Sequence, residues 1–352
     1  MVIVRFSQFR DRVCSPLGGF LRACTLNAAA TGSLAVMSLL WVAGMAPATA
    51  AQDRERVFVA VHDSTGAPVT DLTSSDFLIR IDGADRQILS VTRATTPLSI
   101  VLLTDQLGLT SSYPLSDLRD GLAEFVRTIR GASAEARFAL LTFDGAPNLR
   151  TRFDSGPAIL EREMARLVGV ASNSVLLDGV HQAAGLLAKG PTERRAILNV
   201  FAAYRPDVSV RLTTEVGQVL RQSAASLWSI EVVADIGWQV TQGPNRPSIN
   251  PTAGLGEPRQ ISQDPSDSPS AGAYASMPRE VVISDGGVRS GGMRQTVTSR
   301  LQLAPALARV AQILLSQYEI VYGPARATAQ SERLVAVRRK NVTVLAPSWV
   351  RR

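Results

Sequence analysis

Residues 98–109 read LSIVLLTDQLGL, and this stretch indicates the fold class. A run of apolar, partly β-branched residues ends on one acid, Asp105, and a helical pattern follows after a short loop. A continuous apolar run of this length is typical of a parallel strand that is buried on both faces. We therefore predict an α/β sheet in which this strand delivers Asp105 to the carboxyl edge, where ligands of such sheets usually bind.

Strand and helix patterns alternate along the following chain. This alternation predicts a Rossmann-like, mostly parallel sheet with helices on both faces. The predicted strands are 98–104, 137–143, 196–201, 227–233 and 293–298, and the predicted helices are 117–129, 158–167, 175–188, 214–225 and 303–316.

Two flanking segments have β patterns. The first contains strands at 57–61, 77–81 and 87–91, and Asp82-Gly83 predicts a hairpin between the last two. The second contains strands at 318–322 and 333–345, with the basic cluster 338–340 expected on an exposed strand face. Because neither segment can bury a core alone, we expect them to form one small β-sandwich together.

These patterns divide the chain into regions. A signal peptide (1–50) precedes an N-terminal β segment (51–96), an α/β domain (97–317) and a C-terminal β segment (318–352) that pairs with 57–93. Within the α/β domain, 241–290 is expected to be a disordered insert. Its first forty residues are rich in Pro, Ser, Gly and Asn and carry few large apolar side chains. The glycine-rich stretch 285–292 lacks the residues of a phosphate-binding loop, so we interpret it as a flexible approach to the last sheet strand.

The first fifty residues have the features of a secretory signal peptide. Four arginines precede the apolar run 28–43, and an A-T-A sequence ends at Ala50. An uncleaved membrane anchor is the alternative, but the run is short for a membrane-spanning helix. We expect cleavage, export to the periplasm or medium of a bacterium, and no stable membrane span afterwards. Both cysteines, Cys14 and Cys24, lie in the removed segment, so the mature chain would have no disulfide.

Charge gives little support for nucleic-acid binding. The formal net charge is +7, and four arginines and one aspartate lie in the predicted signal peptide. Basic and acidic residues are interleaved through most of the chain, which indicates a mixed, solvated surface. We therefore expect a protein partner rather than a nucleic acid.

Five stretches, in this order, resemble the von Willebrand factor type A (VWFA) family, and more closely its bacterial "VWFA-related" branch. They are VFVAVHDSTGAPVTDLTSSDFLIRIDGADRQI (57–88), LSIVLLTD (98–105), SNSVLLDGV (172–180), and SGGMRQTVTS (290–299) with LLSQYEIVYGP (314–324). The resemblance covers about 57–350, with 241–280 outside it. It implies a Rossmann-like domain between β segments.

The resemblance also implies a metal-ion-dependent adhesion site, in which oxygen ligands hold Mg²⁺ or a similar hard cation. The family's first loop supplies the pattern D-x-S-x-S. Here Asp105 stands at the acid, but Leu107 and Leu109 stand at the two serines, and a leucine side chain has no atom that can coordinate a hard cation. Only a re-registered loop that uses 110–112 would restore hydroxyl ligands.

The other two loops are also altered. Ser174 stands at the family's threonine, a replacement that keeps the hydroxyl, but Ala202 falls at the final aspartate and Asp207 comes five residues later. We therefore expect a degenerate site and no cofactor. If a metal binds at all, Asp105 and Ser174 are its expected ligands.

Our functional hypothesis is a non-enzymatic protein-interaction module that works without a metal. The expected partner edge consists of the loops 105–113, 169–174 and 202–206, with Leu107, Leu109 and Tyr113 in apolar contact beside Asp105 and Ser174. One alternative is a structural spacer of an envelope assembly with no active edge. Another is a Mg²⁺-dependent adhesion module with a re-registered site.

A hydrolase is the remaining alternative. Ser174, Asp178 and His181 have the spacing of one helix face, and Ser174 or Asp105 would serve as nucleophile. In a catalytic triad, however, the histidine lies between the nucleophile and the acid. Here the aspartate lies between them, so we predict no catalytic residues and no enzyme.

Overall fold

The computed structural model describes residues 54–105, 115–169, 173–203, 207–233, 278–324, 328 and 330–350. The described strands are β1 (Glu55–Asp63), β2 (Phe77–Ile81), β3 (Ala84–Asp85), β4 (Ile88–Arg93), β5 (Leu98–Thr104), β6 (Arg137–Thr142), β7 (Asn148–Thr151), β8 (Arg194–Ala202), β9 (Ser226–Val232), β10 (Met293–Val297), β11 (Tyr318–Tyr322), β12 (Arg333–Val337) and β13 (Val342–Leu345). The longer helices are α1 (Leu115–Ala132), α2 (Pro157–Ala165), α3 (Leu176–Ala188), α4 (Thr213–Ser223) and α5 (Leu303–Leu315).

The main sheet has the strand order β7-β6-β5-β8-β9-β10. Numbered within the sheet, this is the doubly wound order 3-2-1-4-5-6. Ladders from β6 through β5, β8 and β9 to β10 are parallel, and only β7 at one edge is antiparallel. The predicted mostly parallel sheet is confirmed. Strand β7 had no sequence prediction, since NLRT is short and lacks an apolar run.

Both faces of the sheet are covered by helices. Every residue of β5 is buried, and its side chains alternate between two apolar clusters. Helices α1, α2 and α5 pack on one face, and α3 and α4 pack on the other. This double coverage explains why the strand needs a continuous apolar sequence rather than an alternating one.

The two terminal β segments form two small antiparallel sheets. One has the order β13-β1-β11-β4 and the other β12-β2-β3. Their inner faces share a third apolar cluster, in which the rings of Phe77 and Tyr318 meet edge to face at 5.3 Å.

The predicted hairpin is wrong in its second strand. Asp82 and Gly83 do have positive φ angles, as a tight hairpin requires. However, only the two residues of β3 pair back onto β2, while β4 crosses to the other sheet and pairs with β11. There, Ile88 and Val91 cover the third apolar cluster, a contact that local sequence does not reveal.

The predicted long strand 333–345 is wrong too. It is two strands in different sheets, β12 and β13. The basic cluster 338–340 lies in the connection between them, next to Asn341 with its φ of 56°. Arg339 there forms an ion pair with Asp71 at 2.7 Å.

The prediction of a disordered insert is wrong for its last part. A π-helical turn (Val282–Gly286) continues into a short helix (Gly287–Arg289), and Val282 and Ile283 are buried in the second apolar cluster. Residues 241–277 lie outside the described residues.

The glycines after this helix provide close approach rather than flexibility. A Cβ atom on Gly292 would lie 2.0 Å from the carbonyl oxygen of Leu227. Next to it, Ser290 Oγ accepts a hydrogen bond from Leu227 N at 2.9 Å. The backbone of 290–292 thus packs directly against β9, which leaves no room for a side chain at position 292.

The interpretation of the arginines as a solvated surface is also wrong for several of them. Within the described part of the chain, four are buried, with exposed fractions of 4% to 9%: Arg194, Arg195, Arg279 and Arg333. Composition and interleaving of charge carry no information about such single positions.

Among the described residues, none of the helices combines the length and the apolar character that crossing a membrane requires. The predicted signal peptide lies outside those residues, and its cleavage and the domain boundaries stay predictions.

Candidate functional site

Asp105 lies at the topological switch point of the main sheet. It follows β5, at the position where the strand order turns towards β6 on one side and β8 on the other. Its backbone N–H donates to the carbonyl oxygen of Val200 in β8 at 3.0 Å, and the residue is only 1% exposed. Crevices at such switch points, outside the carboxyl ends of the strands, are the usual ligand sites of doubly wound sheets.

Ser174 lies at the same edge and joins two neighbouring connections. It forms an antiparallel bridge with Asp144, which follows β6, and a parallel bridge with Asp207, which follows β8. Its carbonyl oxygen accepts a hydrogen bond from Val208 N at 2.9 Å. The hydroxyl-bearing residue is 3% exposed, so it belongs to the framework of the edge rather than to its surface.

Asp207 caps helix α3. One carboxylate oxygen accepts from Leu177 N in the first turn at 3.2 Å, and the other accepts from Ser209 N at 2.8 Å. A carboxylate at this position satisfies an amide that has no partner within the helix, and it interacts favourably with the helix dipole. Burial nevertheless raises the pKa of Asp207, against the opposing effect of the hydrogen bonds from Ser209 and Leu177.

Asp178 fixes the same segment from the helix side. Its carboxylate accepts hydrogen bonds from Val210 N at 3.2 Å and from Arg211 N at 2.9 Å. Its own backbone N–H donates to Ser209 Oγ at 3.3 Å. Residues 207–211 are thus tied to the amino-terminal turn of α3 by bonds in both directions.

These bonds do not fit a catalytic triad of Ser174, Asp178 and His181. Both oxygens of Asp178 accept backbone amides, and neither accepts the imidazole. The structure therefore gives Asp178 a positioning role at the turn.

The usual make-up of a metal site is several His, Cys, Asp or Glu side chains that come together. Within the part of the chain that the structure describes, no group of three or more of these side chains comes together so that it could hold a metal ion. Asp207 directs its two oxygens to backbone amides. Leu107, Leu109, Tyr113 and the hydroxyls of 110–112 lie outside the described residues, so their predicted roles stay predictions.

The connection after β8 exposes three apolar side chains, which we call the apolar ridge: Val208, Val210 and Leu212. Their exposed fractions are 47%, 83% and 65%. Because Asp178 and Asp207 hold the backbone between them, the ridge has a defined shape at the carboxyl edge. The sequence-based prediction put the apolar contact in the first loop. The signal that could have identified this segment is VSVRL at 208–212, in which apolar residues alternate.

A second polar cluster lies beside this edge. Glu231, buried in β9, pairs with Arg294 at 2.5 Å, and Arg294 also binds Glu280. Arg279 donates to the carbonyl oxygen of Ala203 at 2.6 Å. Burial lowers the pKa of Arg279, and Glu231 opposes that shift. The cluster holds residues 279–280 against the ends of β8 and β9. In the sequence, the feature that could have indicated it is the single acid in the otherwise neutral strand SLWSIEV.

Sequence comparison with protein-family models and with characterised proteins gives no match. Several solved structures are similar to part of this chain. Proximal thread matrix protein 1 from the mussel byssus, with its MIDAS motif occupied by zinc, has a TM-score of 0.44 at 10% identity, over 68% of this chain and 50% of its own. This chain thus spans about half the length of that protein.

Two further structures are similar to a comparable degree. The SpRpn10 VWA domain has a TM-score of 0.32 at 12% identity, over 41% of this chain and 79% of its own. The PilB minor pilin from Streptococcus sanguinis has a TM-score of 0.40 at 8% identity, over 64% of this chain and 63% of its own. With identities of 12% or less and TM-scores below 0.5, these likenesses support no inference about the family or the function of this chain.

Proposed function

We propose that this chain is a protein-interaction module that binds its partner through the carboxyl edge of the main sheet, without a metal ion. The apolar ridge is the observation that carries the proposal. Three neighbouring apolar side chains are held exposed on a connection that is anchored at both ends. Water-exposed apolar area at a ligand edge favours association, because burying it against a partner releases free energy.

The proposal treats the inherited metal site as degenerate. Its support is that Leu107 and Leu109 replace oxygen ligands in the sequence and that Asp207 serves as a helix cap. We place Leu107, Leu109 and Tyr113 on the same partner surface as the ridge, with Asp105 and Ser174 as its framework. Catalysis is not part of this proposal, since Asp178 is engaged by backbone amides.

We also propose that the module is exported by a bacterium and belongs to the VWFA-related branch. The support for export is the charged, apolar and small-residue pattern of 1–50. A fusion of these residues to a reporter that is active only outside the cytoplasm tests this: an inactive reporter contradicts export.

Site-specific photo-crosslinking in the native cells tests the interaction. A photoreactive amino acid is placed at Val210 on the ridge and, as a matched control, at Leu334, which is 57% exposed on strand β12 of a terminal sheet. We expect one discrete crosslinked protein from position 210, none from position 334, and the same product in lysed cells treated with a chelator. Replacing Leu212 by aspartate should abolish it.

The alternatives give different results. A structural spacer gives no product from position 210, or the same products from 210 and 334. A metal-dependent adhesion module gives a product from 210 that disappears with the chelator. Either result contradicts the proposal.

A further inference from the structure

A small cavity lies at the opposite end of the main sheet from the candidate site. It is bounded by the first residues of β8 and β9, the end of α4, the start of β1 and the segment that follows β13. Its volume is about 80 Å³. That is room for several water molecules or one small ion, and far less than a drug-sized or nucleotide ligand needs.

Positive charge dominates the lining. Five arginines contribute to it: Arg56, Arg194, Arg195, Arg221 and Arg333. Glu193 is the acid among the lining residues, and its side chain is 56% exposed and paired with Arg56 at 3.0 Å. Two more carboxylates lie behind the lining: Glu319 also pairs with Arg56, and Glu55 accepts from Tyr322. The five guanidinium groups still outnumber the acids.

Neutral groups hold the buried arginines in place. Arg194 donates to the carbonyl oxygen of Leu314 at the end of α5, and Arg195 donates to that of Ser223 at the end of α4. Arg333 donates to the carbonyl oxygens of Pro347 and Trp349. Carbonyl partners fix the direction of a guanidinium, but each helix end offsets only about half an elementary charge. The site is therefore preorganised and remains electropositive.

The electrostatics of Arg194 agree with this charge excess. Burial lowers its pKa to about 10, Glu319 opposes the shift, and neighbouring Arg93 adds to it. An anion beside the guanidinium would offset that desolvation.

Trp349 supplies a second, independent observation. It lines the cavity, it is 7% exposed, and its indole N–H has no hydrogen-bond partner among the described residues. A buried donor without an acceptor costs roughly 1–3 kcal/mol. The guanidinium of Arg221 lies 5.6 Å from the centre of the same ring. The indole N–H and this guanidinium therefore belong to side chains that line the same cavity.

We propose that this cavity is a binding site for a small tetrahedral oxyanion, phosphate or a phosphate ester. Such an anion accepts hydrogen bonds from several directions, which suits donors that reach the cavity from α4, β8, β12 and the segment after β13. The site is separate from the proposed partner edge, and a test of one proposal does not decide the other.

Calorimetric titration of the purified protein in phosphate-free buffer tests the proposal. Inorganic phosphate and glycerol 3-phosphate distinguish the free ion from its ester, and acetate serves as a planar carboxylate. We expect saturable one-to-one binding of phosphate or the ester and at least about tenfold weaker binding of acetate.

Two variants assign the binding to this cavity. Arg221→Gln removes a half-buried cation, and Trp349→Phe removes the N–H while keeping a ring. Each should weaken phosphate binding by roughly tenfold, since a hydrogen bond to a charged group contributes about that much. Arg127→Gln, whose side chain is 70% exposed on α1, is the matched control and should bind like the unmodified protein.

Circular dichroism checks that each variant is folded, and Trp349→Phe decides the question if Arg221→Gln is not. The proposal is overturned if the folded, unmodified protein shows no saturable binding of either phosphate compound. It is equally overturned if both folded variants bind as tightly as the control.

Discussion

At the scale of single residues, Asp207 combines two opposing effects. Its carboxylate caps α3, yet burial raises its pKa. A folded-state pKa above the unfolded value means that the folded chain binds the proton more tightly. The associated stabilisation is complete below the unfolded pKa of about 3.9 and is lost as the pH rises through the raised folded value.

Replacement of Asp207 by asparagine should remove this pH dependence. We expect the free energy of unfolding of the unmodified protein, minus that of Asp207→Asn, to fall as the pH rises through the window just above 3.9 and then to level off. Urea denaturation at a series of pH values measures this difference in free energy. Carboxyl groups whose pKa is lowered by folding are present in both proteins, so their contributions cancel in it. Asp63 is one of these, since the Thr65 hydroxyl lowers its pKa. A difference that grows with pH would mean that the charged cap outweighs the desolvation.

Arg194 marks a limit of sequence analysis at this scale. It lies in ERRAILNVF (193–201), where the sequence pattern predicts that the arginines are exposed at the beginning of a strand. In the fold its guanidinium donates hydrogen bonds to the carbonyl oxygens of Ala94, Thr96 and Leu314, which come from two distant parts of the chain. Only the assembled tertiary structure creates these acceptors, so no local pattern could have identified the position as buried.

At the scale of elements, the segment 290–292 shows what a glycine pattern can conceal. Glycine-rich sequence is common in flexible loops, but here the backbone packs against Leu227 so closely that a methyl group has no room. We expect Gly292→Ala to lower the free energy of unfolding by ~3 kcal/mol through overpacking and loss of the Ser290–Leu227 contact. Chemical denaturation measures this.

Gly185→Ala is the matched control for that substitution. Gly185 lies inside α3, and nothing is within 4 Å of an added methyl group. Alanine there should raise stability by about 0.5–1 kcal/mol, because a helix-interior glycine has more conformational freedom to lose. If both substitutions had equal effects, the close approach at 292 would not be a feature of the folded protein.

Sequence predicted the elements of the main sheet well because their signals are local. The continuous apolar run predicts the buried strand β5. The helical spacing of apolar residues predicts α1 and α3 together with the face that each helix buries. Strand β4 was assigned to the wrong partner because its pairing with β11 depends on residues more than 200 positions away. The π-helical turn at Val282–Gly286 was missed because its burial depends on packing against α4 and β9.

At the scale of the whole molecule, we propose a different role for each end of the main sheet. At the carboxyl end, the apolar ridge is exposed on the connection 207–212. At the amino end lies the small cavity that is lined by five arginines. Sequence predicted the first location through Asp105 and Ser174. The ridge itself and the cavity could not be predicted, because they arise where residues 207–212 meet α3 and where the terminal segments meet the sheet.

The central claim is that the carboxyl edge works without a metal, and calorimetric titration with Mg²⁺ and Mn²⁺ tests it most directly. We expect no saturable binding by the folded protein, because Leu107 and Leu109 stand at the positions of two oxygen ligands and Asp207 caps a helix. Saturable one-to-one binding that Asp105→Ala abolishes, in a variant that remains folded, would contradict it.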